Sequence, residues 1–213
     1  MINKKIIKII LLWFLADAAI WLIFFNFVTH TSFVLALLYF SSLSIVFLLL
    51  FKDIFVKIST HTMKRDLLLI IGAFFLHVAT YWICHRFLTA PLELMKHNTA
   101  SFMQVDRYFI WVKPIDSLLQ QLMIIVLVTK LYEQKVSIRT LAILLGVLFG
   151  VAHFYSMQHM ELGPTALMVF FTTLFALVMP YLLLKVKNGY LYNFMIHIAL
   201  VDLAALTFWG LFG

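Results

Sequence analysis

Apolar residues along this chain gather into seven runs of about 20 residues, the length that crosses a bilayer as a helix. They fall at 6–28, 32–51, 67–88, 115–132, 138–155, 165–184 and 190–212. Polar residues punctuate them: Gly163 and Pro164 close one connection, Lys187, Asn188 and Gly189 form a turn, and 89–113 is one long loop. The segment 52–66 alternates charge with Ile54, Phe55, Val56 and Ile58, a pattern that predicts a short interfacial piece. The pattern as a whole predicts an all-α polytopic membrane protein with about seven transmembrane helices.

Composition sharpens this picture. Of 213 residues, 64% are hydrophobic and 12% charged, against roughly 25% charged in a soluble domain. Such a chain cannot hide its apolar surface in one aqueous core. No internal repeat or composition shift marks a boundary, so 1–213 reads as a single integral-membrane domain, with three spans in 1–88 and four in 114–213.

Charge decides orientation. With the N-terminus in the cytoplasm, Lys4, Lys5, Lys8, Lys52, Lys57, Lys64, Arg65, Lys130, Lys135, Arg139, Lys185 and Lys187 all lie inside, and only Arg86, Lys96, Arg107 and Lys113 lie outside. This is a positive-inside bias. It places Gly213 outside and suits a bacterial inner membrane. The net charge of +7 is thus spent on orientation and lipid headgroups, and no basic stripe is left to follow a nucleic acid. The first run carries Asp17 at its centre and lacks a small-x-small cleavage site, so it reads as a retained span. Cys84 is the only cysteine, which excludes an internal disulfide and a cysteine-based zinc cluster.

Ionisable and amide side chains inside apolar runs are where function is sought in a membrane protein. His153 ends the fifth run, beside Tyr155, Gln158 and His159. The fourth run opens with Lys113 and Pro114, the latter at a favoured first-turn position, and continues with Asp116, Ser117, Gln120 and Gln121. Asp116 and Gln120 share a helix face, as do Ser117 and Gln121. The seventh run carries Asn193 and His197 on one face and Asp202 about 140° away. Asp17 and His77 lie near the middle of their own runs and read as hydrogen-bonding partners of neighbouring helices. Tyr108, Phe109 and Trp111 read as an interfacial aromatic belt. Two histidines on different spans, His153 and His197, can approach a divalent metal, but a catalytic zinc takes a third protein ligand; no cofactor is firmly implied.

The order of these elements resembles the CPBP family, the CAAX-protease and bacteriocin-processing group, with a Glu-Glu-x-x-x-Arg motif on one span, Phe-x-x-x-His on the next, and His-x-x-x-Asn or Asp on a later one. Phe149 and His153 match the second motif, His197 falls where the third begins, and Gln120 and Gln121 stand where the paired glutamates belong. The resemblance covers the chain from Pro114 onward and implies a CPBP-like core with Gln120, Gln121, His153 and His197 as its site. The arginine position is Ile125, and Asp202 lies one step beyond the third motif's final position. In the family the glutamates activate the attacking water. An amide in their place keeps the shape and loses the base.

The sequence therefore predicts a catalytically inactive protease homologue that acts as a binding or scaffold subunit toward a membrane-protein or peptide partner in the lipid bilayer. Two alternatives stand beside it. One is an active intramembrane peptidase using Asp116 or Asp202 as a relocated carboxylate, since Asp202 lies at a depth close to His153. The other is a small proton-coupled transporter with Asp17, His77, His153 and Asp202 as its relay.

Overall fold

A computed structural model describes residues 4–28, 32–58, 63–97, 104–156 and 162–213. Among them the chain is helical throughout, joined by short turns. The helices are α1 (Lys4–Ile23), α2 (Phe33–Leu50), α3 (Lys52–Ile58), α4 (Met63–Phe87), α5 (Leu92–His97), α6 (Lys113–Glu133), α7 (Ile138–Ser156), α8 (Leu162–Lys185) and α9 (Gly189–Phe212). Two π-helical turns, Phe24–Val28 and Tyr108–Val112, extend α1 at its end and α6 at its start.

Six of these stretches are long and apolar enough to cross a membrane: Lys4–Val28, Phe33–Leu50, Asp66–Phe87, Tyr108–Glu133, Thr165–Lys185 and Gly189–Phe212. The apolar part of α7, Ile138–Phe154, is a shorter seventh. The protein is an integral membrane protein of the all-α polytopic class. Its outer surface is greasy in the way a bilayer solvent requires: Leu12, Leu15, Leu49, Phe75 and Val151 are all exposed.

Helix α6 is the axis of the bundle. It buries Leu119 and every residue from Gln121 to Val128, and α1, α2, α7, α8 and α9 all pack on it. Trp13 of α1 fixes that contact by donating Nε1–H to the Met123 carbonyl of α6 at 3.0 Å. Two apolar clusters flank the axis. One gathers Ile124, Leu127, Leu131, Leu141, Leu145 and Met179 between α6, α7 and α8; the other gathers Phe24, Ala36, Phe40, Val112 and Met123 between α1, α2 and α6.

Short connections set the order. Four residues separate α6 from α7, so the two run antiparallel, and Lys135 in that turn takes the left-handed conformation at φ 65°. Asn188 does the same between α8 and α9 at φ 57°, a conformation that asparagine tolerates better than most residues. Gly189 follows because a Cβ there would lie 1.7 Å from the Leu182 carbonyl oxygen. Asp66 at the base of α4 accepts from Asn188 at 3.2 Å and from the Tyr190 hydroxyl at 3.4 Å, tying this turn to α4.

Candidate functional site

The first turns of α6 sort their polar residues onto two faces. On the first, Asp116 is buried and doubly held: Lys113 Nζ donates to Oδ2 at 2.7 Å and Gln120 Nε2 to Oδ1 at 2.7 Å. Asp17 of α1 lies beside Trp21 of its own helix and within electrostatic reach of Asp116. The i, i+4 spacing of Asp116 and Gln120 made their contact legible. That Gln120 turns to Asp116, away from Gln121's partners, needs the packed helices to be seen.

On the second face Gln121 reaches α9. Its Nε2 donates to His197 Nδ1 at 2.6 Å, and its Oε1 accepts from Asn193 Nδ2. Donors and acceptors run one way along this chain, Asn193 to Gln121 to His197, and they make the ring a neutral imidazole with its proton on Nε2. Asn193 is fully buried, and its Oδ1 has no hydrogen-bond partner among the described residues. Phe175 of α8 packs 5.9 Å from the His197 ring.

His153 is half-buried on α7 and donates Nδ1–H to the Phe149 carbonyl one turn back at 2.9 Å. That bond points the ring and leaves Nε2 with its lone pair. Phe149 itself meets Trp13 edge to face at 6.4 Å. His153 and Lys113 both lie in the neighbourhood of His197. The helices thus bring Gln121, Asn193, His197, His153 and Lys113 into one neighbourhood. Gln120 and Asp116 form a pair on the other face of α6, joined to this neighbourhood through Lys113. Gln158, His159 and Glu161 lie outside the described residues. No cluster of three or more side chains able to hold a metal occurs among the described residues.

Asp202 is not beside His153. It faces α4, where its Oδ1 meets His77 Nδ1 at 2.5 Å. The physical reason is azimuth: depth along α9 brings Asp202 level with His153, but the roughly 140° between Asp202 and His197 turns the carboxylate to the flank on which α4 packs. The second His77 nitrogen, Nε2, contacts the Phe109 carbonyl at 2.7 Å, and the His77 ring stacks on Phe109 at 4.3 Å. Phe109 is therefore fully buried instead of lying in an interfacial belt, whereas Trp111 is exposed as a belt residue should be. Asp106 fixes this turn by accepting from the backbone N–H of Tyr108 and Phe109 at 2.8 and 3.3 Å.

The sequence reading of His77 as a hydrogen-bonding partner of a neighbouring helix is met here by Asp202, a residue that only the transporter alternative places with it. The usable signal was that each is a mid-span ionisable group in need of a partner. The chain matches no family model, no curated protein and no solved structure.

Proposed function

We propose that this chain is a CPBP-like membrane protein without peptidase activity, which acts as a binding or scaffold subunit in a bacterial inner membrane with its N-terminus in the cytoplasm. The observation that carries this reading is that, among the described residues, the carboxylates and the amide considered as bases near the histidines are already engaged. Asp116 is held by Lys113 and Gln120, Asp202 by His77, and Gln121 spends its amide on His197 and Asn193.

A hydrolytic site needs a base within hydrogen-bond reach of the water it activates, and loss of such a base typically costs about 10²–10⁴-fold in rate. Gln121 is an amide and cannot accept that proton. It does serve binding: the Asn193–Gln121–His197 chain pins α6 to α9 and fixes the wall against which a partner segment would lie. The paired change to Gln120 and Gln121 together with Ile125 in place of an arginine also supports the reading. Losing two buried negative charges and their counter-ion as a unit leaves no uncompensated charge in the bilayer.

The test is reconstitution of the purified full chain into liposomes with fluorogenic peptides and membrane-anchored peptide substrates. Turnover is expected to be indistinguishable from that of a His197→Ala variant. Cleavage by the wild type that disappears in both His153→Ala and His197→Ala would overturn the proposal.

A further inference from the structure

Between α4 and α9, on the flank of α9 turned away from Gln121, a cavity of about 570 Å³ opens sideways. Its lining includes Gly72, Ala73 and Leu76 from α4 and Ala199 and Asp202 from α9. Gly72 and Ala199 are exposed, and a Cβ built on Gly72 meets nothing within 4 Å. Small residues in such a floor let another backbone come close. Asp202 is 3% exposed, and its Oδ2 has no hydrogen-bond partner among the described residues. A buried acceptor without a donor is costly, the more so within a membrane.

We propose that this groove seats a transmembrane helix of a partner protein, which presents an uncharged hydrogen-bond donor, a hydroxyl or a side-chain amide, to Asp202 Oδ2. Three observations select that occupant. The first is depth. Asp202 lies 13 residues into a 24-residue helix, about 20 Å along an axis of about 36 Å. Lipids carry no donor at mid-membrane, and a helix side chain does.

The second is charge. Asp202 Oδ1 is already paired with the His77 ring, whose other nitrogen meets the Phe109 carbonyl. A cation in the groove would bring a further charge to a pair that is already matched within hydrocarbon, and a neutral donor completes the set. The third is shape. The α9 side of the groove runs from Tyr192 to Asp202, about 15 Å. Its volume over that length gives a mean cross-section of about 40 Å², half that of a helix about 10 Å across. It holds one side of a helix and leaves the other to lipid.

This inference is independent of the proteolytic question, because Asp202 and His197 occupy different flanks of α9. The experiment places the full chain, labelled at its N-terminus with a donor fluorophore, in phosphatidylglycerol–phosphatidylcholine liposomes with acceptor-labelled leucine–alanine helices of about 22 residues. These peptides differ only at a central threonine, valine or lysine. Threonine and valine share a shape and differ by one hydroxyl. The threonine peptide is expected to associate about three- to tenfold more tightly than the valine one, the range of an interhelical hydrogen bond in membranes. Gly72→Leu is expected to erase that preference. It points into open space and spares the His77–Asp202 pair, so the protein folds. His197→Ala is expected to keep it.

Equal binding of the threonine and valine peptides would overturn the proposal, as would a preference that survives Gly72→Leu or is lost in His197→Ala. Tighter binding of the lysine peptide would overturn the requirement for a neutral donor. Energy transfer between two labelled copies without peptide, abolished by Gly72→Leu, would put a second copy in the groove and overturn the assignment of a different partner.

Discussion

His77 pairs with Asp202 inside the bundle, their side chains 0% and 5% exposed, and its second ring nitrogen meets the Phe109 carbonyl. Removing one member of such a pair leaves the other charge buried alone, which costs about 3–5 kcal/mol. His77→Ala is therefore expected to lower stability by about that much in a reversible unfolding measurement in micelles. The double variant with leucine at both positions replaces the ions with apolar volume and is expected to lose less than His77→Ala does. A double variant that lost the sum of both singles would show that the two act separately. Gln121 and Gln120 make a second contrast. Gln121→Leu strands His197 and Asn193 at once, each at about 1–3 kcal/mol for a buried group left unsatisfied. Gln120→Leu deprives Asp116 of one donor while Lys113 remains. The same unfolding assay should rank Gln121→Leu as clearly the more damaging. From sequence the two glutamines stood in one site, Gln120 on the face of Asp116 and Gln121 on that of Ser117, and the packing of α9 against Gln121 is what sets their roles apart.

The tightest pairing of elements is α7 on α8, and it depends on two glycines. A Cβ at Gly150 would stand 2.7 Å from Thr173 Oγ1, and one at Gly146 would stand 3.0 Å from Leu177 Cδ2. Overpacking of this kind typically costs about 1–3 kcal/mol. Gly150→Ala is expected to lower thermal stability, and Thr173→Ala is expected to restore most of the loss, because the clash is with that hydroxyl. If Gly150→Ala were neutral, α7 would have room to move and the close approach would not be needed. The Gly146 and Gly150 spacing was visible in the sequence as a point where another helix could come near. Which helix came near was not, since a glycine pair carries no information about its neighbour. Helix boundaries were far more legible: the apolar run at 138–155 became Ile138–Ser156 and that at 190–212 became Gly189–Phe212. Length and turn chemistry are local, and both are written along the chain. The azimuth of each helix about its axis is set by what it packs on, and this is why Asp202 was assigned to the wrong histidine while its span was correctly drawn.

Topology of the whole molecule turns on α7, because its apolar stretch, Ile138–Phe154, is the shortest of the candidate crossings and its inclusion fixes the parity of spans. The helix has 19 residues, about 28 Å at 1.5 Å per residue, close to the roughly 30 Å of a bilayer's hydrocarbon. Four residues separate it from α6, in a turn flanked by Lys130, Lys135 and Arg139. On the proposed orientation those cations keep the α6–α7 turn in the cytoplasm, α7 returns outward, and its His153 end lies on the same side as the Lys113 end of α6. The positions of the polar residues and the charge rule thus make the same demand. The proposed orientation, with the N-terminus inside and α7 counted as a seventh crossing, places Gly213 outside. Fusion of alkaline phosphatase, which is active only outside the cytoplasm, is expected to give activity after Gly213 and none after Lys135, with a cytoplasm-reporting fluorescent protein giving the reverse. Reversal of both signals would leave seven crossings and invert the bundle. A fluorescent C-terminus together with a fluorescent Lys135 fusion would make α7 a re-entrant helix, and His153 would then be reached from the cytoplasmic side.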